Sequence, residues 1–238
     1  MILREFSKIE VEKIKQAIES KKQSFPQDWL GRALAYTPYQ PRTLCLNRAE
    51  STESKANCQD SKDCGDSSIP CLYRFSQSFL AQTDSNPKSI LQIAKNYENL
   101  AKGFLVESLE ILTFIRRYVQ TPLIYDFLIL DSYQLLESLV YGADAVILTP
   151  KFFTQKELRD LSEYALKIGL ERIFRIDSKE DLTKSIFAQA DFLDLDSNFS
   201  LIPLIPNGKI LLSEIPEDLA QSAQPSLLNA LDARILAL

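Results

Sequence analysis

Histidine is absent from all 238 residues. That removes the commonest general base and a frequent metal ligand, so any proton transfer falls to Lys, Glu, Asp, Tyr or Cys. Cysteine is scarce. Cys45, Cys58, Cys64 and Cys71 stand at spacings that match no CxxC pair, and with no histidine to complete a set they do not read as a zinc site. Free thiols, no metal and no cofactor are expected. No apolar run approaches the roughly 20 residues of a membrane span, and Met1 to Glu10 lacks the apolar core of a signal peptide, so the expectation is no membrane contact and a cytoplasmic location. No Lys/Arg run or basic, aromatic-interleaved stripe occurs, and the net charge is −5. A nucleic-acid surface is not expected.

What is present is an ordinary globular composition, 45% apolar and 25% charged, sufficient for a sizeable core. The clearest stretch is LIYDFLILDSYQLLESLVYGADAVILT, Leu123 to Thr149. Leu123 to Leu130 and Ala145 to Leu148 are apolar runs that suit strands buried on both faces. Between them Asp131 and Ser132 offer an N-cap, Leu135, Leu136, Leu139 and Val140 recur at helical spacing, and Gly142 can end the helix. A strand, a crossover helix and a second strand imply a parallel sheet.

Ile2 to Lys21 is helical by period. Leu30 to Leu44, with two prolines and two tyrosines, reads as an extended segment lying over other structure. Asn47 to Ser68 is almost wholly polar and reads as a mobile insertion. Strand candidates then begin at Ile69, Lys102, Leu123, Ala145, Arg172, Asp191, Lys209 and Arg234, nearly all separated by helices, including one predicted from Glu217 to Leu231. Eight alternating units in one domain of this length favour a (β/α)8 TIM barrel, with residues 1–44 as an amino-terminal helical extension and 69–238 as the barrel, over an open doubly wound sheet.

The central DFLILDSYQLLESLVYGADAVIL, together with KELRDLSEYALKIGLE, the SE…PEDLA segment and LAYTPYQPR, resembles the indole-3-glycerol phosphate synthase family of tryptophan biosynthesis. The resemblance implies a barrel that decarboxylates and ring-closes a carboxyphenylamino-deoxyribulose phosphate. It also implies catalytic groups at the carboxyl ends of the strands. There the residues depart from the family. CLYRFSQS places Leu72 at the family's first-strand Glu and Arg74 at its Lys, and Tyr125-Asp126-Phe127 replaces Lys-Asp-Phe. Arg175 replaces a fifth-strand Glu, and Asp196 and Asn198 stand in for an Asn-x-Arg. Only Glu214 matches. Ile215-Pro216 replaces a Ser-Gly phosphate turn, the long second loop is missing, and the last βα unit is incomplete.

Arg74, Tyr125 and Arg175, with Asp126, Asp177 and Glu214, are therefore expected at the barrel mouth. They form either a charge-compensated plug or a new site for a small anion or sugar phosphate, and surviving synthase chemistry is the third reading. An enzyme and a non-catalytic binding or regulatory protein both remain open. No protein partner is identifiable.

Overall fold

The computed structural model describes residues 6–37, 39–46, 69–75, 86–215 and 230–238. The elements follow in chain order. Helix α1 (Lys8–Ser24), helix α2 (Gln27–Ala33) and a 3-10 turn (Leu34–Tyr36) precede β1 (Cys71–Arg74), α3 (Pro87–Tyr97), β2 (Ala101–Val106) and α4 (Leu109–Arg116). Next come β3 (Leu123–Tyr125), α5 (Ser132–Val140), β4 (Ala145–Leu148), α6 (Gln155–Lys167), β5 (Glu171–Arg175), α7 (Lys179–Phe187), β6 (Phe192–Asp194), β7 (Ile210–Glu214) and β8 (Ala233–Ala237). The strands pair in parallel in sequence order, and β8 returns to β1, so the sheet is a closed barrel. The (β/α)8 expectation holds and the open sheet is excluded.

Two apolar layers follow from strand alternation. Leu72, Leu105, Ile124, Ile147, Ile173 and Leu212 fill the barrel interior. Alternate residues such as Phe104, Val106, Val146, Phe174 and Leu193 pack outward against the helices. The helices start where the sequence places caps. Asp131 with Gln134 and Thr154 with Glu157 form reciprocal capping boxes that satisfy otherwise unpaired N–H groups.

Two expectations need correction. Leu30 to Tyr36 is helical rather than extended, because α2 and its 3-10 turn bury Leu30 against Ile18, Tyr133 and Leu136. The strand predicted from Leu123 to Leu130 ends at Tyr125. There Gln134 accepts from the Leu130 and Asp131 N–H groups and donates to Leu128 O, folding the following residues onto the start of α5. Between β6 and β7 lies a 3-10 helix, Phe199–Leu204. The polar stretch 47–68 with Cys58 and Cys64, Pro216, and nearly all of the helix predicted from Glu217 lie outside the described residues.

Residues 39–46 run without regular structure to the base of the barrel, where Leu44 and Leu46 join the interior cluster. They are held by the buried Asp144. Its Oδ1 accepts from Arg42 N at 2.6 Å and its Oδ2 from Leu123 N at 2.7 Å, while Arg116 Nη1 reaches both oxygens at 2.8 and 2.6 Å. Arg116 Nη2 donates to Gln40 O at 2.6 Å, and its guanidinium lies 5.3 Å from the centre of the Tyr39 ring.

Gly142 ends α5 with φ +98°, and a Cβ there would lie 2.8 Å from Arg116 Cγ. Gly142→Ala is expected to cost about 1–2 kcal/mol for the left-handed backbone, and more because Arg116 must shift from Asp144. The midpoint of urea unfolding measures it, and an unchanged midpoint would mean the turn relaxes freely.

Candidate functional site at the barrel mouth

On a strand, residues two apart share a face. Two residues beyond the interior Leu72, Ile124, Ile173, Phe192 and Leu212 stand Arg74, Asp126, Arg175, Asp194 and Glu214. The barrel therefore aims two guanidiniums and three carboxylates into its own mouth.

They form one continuous ion network. Asp126 is its hub: Oδ2 accepts from Arg74 Nε at 3.0 Å, while Oδ1 and Oδ2 accept from Arg175 Nη1 and Nη2 at 2.9 and 3.2 Å. Arg175 Nε also donates to Asp194 Oδ2 at 2.8 Å, and Arg74 Nη1 donates to Glu214 Oε2. Burial opposes charge on Asp126, but the adjoining Arg175 and Arg74 outweigh it and hold its carboxyl below the usual range. For Arg175, burial is likewise outweighed by Asp126 and Asp194, and its guanidinium is held even more firmly protonated. Such an arrangement does not release protons near neutral pH.

Of the residues expected at the site, Arg74, Arg175, Asp126 and Glu214 meet. Tyr125 does not join them. It has the opposite parity to Asp126, packs in the outer cluster and stacks on Phe127 with ring centres 6.0 Å apart. Burial, and then the charges of Glu137 and Glu110 on the surrounding helices, push its phenol upward. Leu72 is interior but one layer down, fully buried in the core. Asp177 and Asn198 meet away from the arginines, Asn198 Nδ2 donating to Asp177 O at 2.7 Å. Asp194 is a member that sequence reasoning missed, because the inward direction of Phe192, two residues before it, is fixed only by the closed barrel.

Asp196 sits just past Asp194, whose Oδ1 accepts from its N–H at 3.1 Å. Asp196 and Ser197 both adopt left-handed backbone, φ +46° and +67°. Ser197 N–H donates to Ser213 Oγ at 3.1 Å and its hydroxyl to Glu214 O at 2.8 Å, which ties this turn to β7. Strained backbone of this kind persists only where its surroundings over-determine it. Burial and then the charge of Asp194 push the Asp196 carboxyl up to about 7.

The folded protein thus keeps this proton to higher pH than the unfolded chain, whose Asp ionises near ~3.9. Between those values the folded state binds more protons, so this group's contribution to stability falls as pH rises from about 4 to about 7 and is level above. Asp196→Asn is expected to flatten that slope, measured as urea midpoints at about pH 5 and about pH 8. Equal slopes in wild type and variant would show that Asp196 ionises normally.

Among the described residues, no group of three or more His, Cys, Asp or Glu is placed to hold a metal ion, and no helix is long and apolar enough to cross a membrane. The link from β2 to α4 is only Glu107-Ser108, with Ser108 capping the helix through Ile111 N–H at 3.4 Å. The second loop therefore adds no wall to the mouth.

Comparison with known proteins agrees with this architecture. The family described as Indole-3-glycerol phosphate synthase matches residues 89–198. A Campylobacter concisus protein of that name is 34% identical over 225 residues, covering 86% of this chain and 81% of the relative. One from Campylobacter jejuni subsp. jejuni is 38% identical over 226 residues, covering 85% and 82%. A third, from Sulfurimonas denitrificans, is 30% identical over 218 residues, covering 86% and 81%. With a closed eight-stranded parallel barrel and identity of this extent over most of its length, the chain belongs to the indole-3-glycerol phosphate synthase family.

Proposed function

We propose that this chain is a member of the family that does not itself close the indole ring and serves tryptophan biosynthesis as a cytoplasmic, non-catalytic binding or regulatory protein. The supporting observation is that both arginines at the mouth, one of them at the position where the resemblance implies a lysine, are already bonded to carboxylates. Ring closure through protonation of a ribulose carbonyl needs a group that gives up a proton near neutrality, and a guanidinium does not. Nor does this network leave strong positive charge for a phosphate: two arginines face three acids. A small anion or sugar phosphate is the ligand class, held weakly. The purified protein is expected to form no indole glycerol phosphate from 1-(2-carboxyphenylamino)-1-deoxyribulose 5-phosphate above a buffer control, followed by product fluorescence. Turnover that disappears in Glu214→Gln would overturn this reading.

A second reading rests on Asp196, the carboxyl raised to about 7 beside the network. A carboxyl poised there suits general acid catalysis, and the chain would then be a divergent carboxy-lyase of the same family. Turnover abolished by Asp196→Asn and retained in Glu214→Gln would favour it.

A further inference from the structure

A cavity lies outside the barrel wall, where the amino-terminal extension crosses α4 and α5. Its volume is about 470 Å³, within the range of small-molecule sites, and it is lined by Phe25, Leu30, Val140 and Tyr141 together with the Lys21–Glu137 pair. Lys21 Nζ donates to Glu137 Oε1 at 2.7 Å. Glu137 is 8% exposed and Lys21 about half exposed, so the carboxylate lies in the wall and the ammonium at the rim.

Three other polar side chains of the lining are spent as donors on backbone carbonyls. Tyr133 OH donates to Phe25 O at 3.1 Å, Ser24 Oγ to Ser20 O at 2.7 Å and Thr113 Oγ1 to Tyr141 O at 3.0 Å. Among the described residues Lys21 is the sole donor to the Glu137 carboxylate. Its second oxygen can accept, and the Lys21 ammonium, which carries three donors, has protons left to give.

We propose that this cavity binds an α-amino acid with a large apolar side chain. The ligand ammonium donates to the spare oxygen of Glu137, its carboxylate accepts from Lys21, and its side chain fills the space between Phe25, Leu30, Val140 and Tyr141. The charge balance selects this class. A bridge that is already neutral accepts a zwitterion with both new charges matched, whereas a simple amine or acid leaves one charge unmatched in a largely apolar setting. An uncharged apolar ligand gains nothing from the pair. The site lies on the outer face of the barrel, and its occupation does not depend on what the mouth does.

Titration calorimetry with L-leucine, L-methionine, L-phenylalanine and L-tryptophan tests this on the full chain. At least one of the four is expected to bind saturably. For that amino acid, the analogue lacking the ammonium and the analogue lacking the carboxylate, for L-phenylalanine 3-phenylpropionate and phenethylamine, are each expected to bind at least about tenfold more weakly. Lys21→Met, at an exposed position, and Glu137→Gln are expected to lose about tenfold or more. Ala33→Trp, which fills the cavity without removing a charge, is expected to abolish binding, with circular dichroism confirming that each variant is folded. No saturable binding of any of the four, equal binding of the one-charge analogues, or binding undiminished in folded Ala33→Trp would each overturn the proposal.

Discussion

Asp144→Ala is expected to lower the free energy of unfolding by about 3–5 kcal/mol, the largest effect of any single substitution considered for this chain. Asp144 is completely buried and Arg116 is 3% exposed, so removing the carboxylate leaves a guanidinium in the barrel base with no counter-charge. The same change strips the acceptor from the N–H groups of Arg42 and Leu123. Each unsatisfied buried donor adds a further penalty of about 1–3 kcal/mol, part of which water entering the site would offset. Because Arg42 and Gln40 are pinned here, the damage should spread to Leu44 and Leu46, which close the interior from below. Asp144→Asn keeps an acceptor oxygen but no charge and should fall between wild type and Asp144→Ala. Urea unfolding followed by far-ultraviolet dichroism gives the comparison. A loss below about 1 kcal/mol for Asp144→Ala would show that the base repacks around Arg116.

Replacing Asp126 is expected to turn the mouth into an anion site. In the native network Asp126 bridges Arg74 and Arg175, two guanidiniums drawn from opposite sides of the ring. Without it they retain one carboxylate each, Glu214 and Asp194, and both present forked donors toward the vacated centre. Inorganic phosphate should therefore bind Asp126→Ala at least about tenfold more tightly than wild type, in which binding on the order of millimolar or weaker is expected. Stability should fall by about 3 kcal/mol, since like charges then approach without their shared partner. Asp126→Asn retains an acceptor and should show a smaller gain in affinity, which separates charge from lost packing. Calorimetry with phosphate decides, and micromolar binding by the wild type would mean that a cradle survives elsewhere on the barrel.

Such a cradle in this fold is ordinarily made by backbone N–H groups at late turns and a helix N-terminus. In the sequence Ile215-Pro216 directly follows Glu214, and a proline has no N–H to donate. Substituting Arg175 would be the less informative experiment, because its removal leaves Asp126 and Asp194 facing each other and changes stability and binding together.

Much of the architecture was determined locally and could be read without coordinates. Helix starts at Asp131 and Thr154, the end at Gly142 and the β4 run from Ala145 to Leu148 depend on contacts a few residues apart, where composition and spacing carry the physics. Inside a barrel, however, strands are buried on both faces and their sequences do not alternate. The run from Leu123 onward thus gave no parity, and nothing local told that Asp126 turns into the mouth while Tyr125 turns out to the helices. Leu30 to Tyr36 became helical because its apolar residues found α1 and α5, which the prolines and tyrosine that follow it do not reveal. The charged residues at the strand ends were legible as a set, but their partners were not. Arg74 joins Asp126 and Glu214 across 52 and 140 residues of chain, and Arg116 joins Asp144 across 28. Only closure of the sheet, which brings β1 beside β8 and sets five strand ends around one axis, decides which acid meets which arginine and so how much charge is left for a ligand.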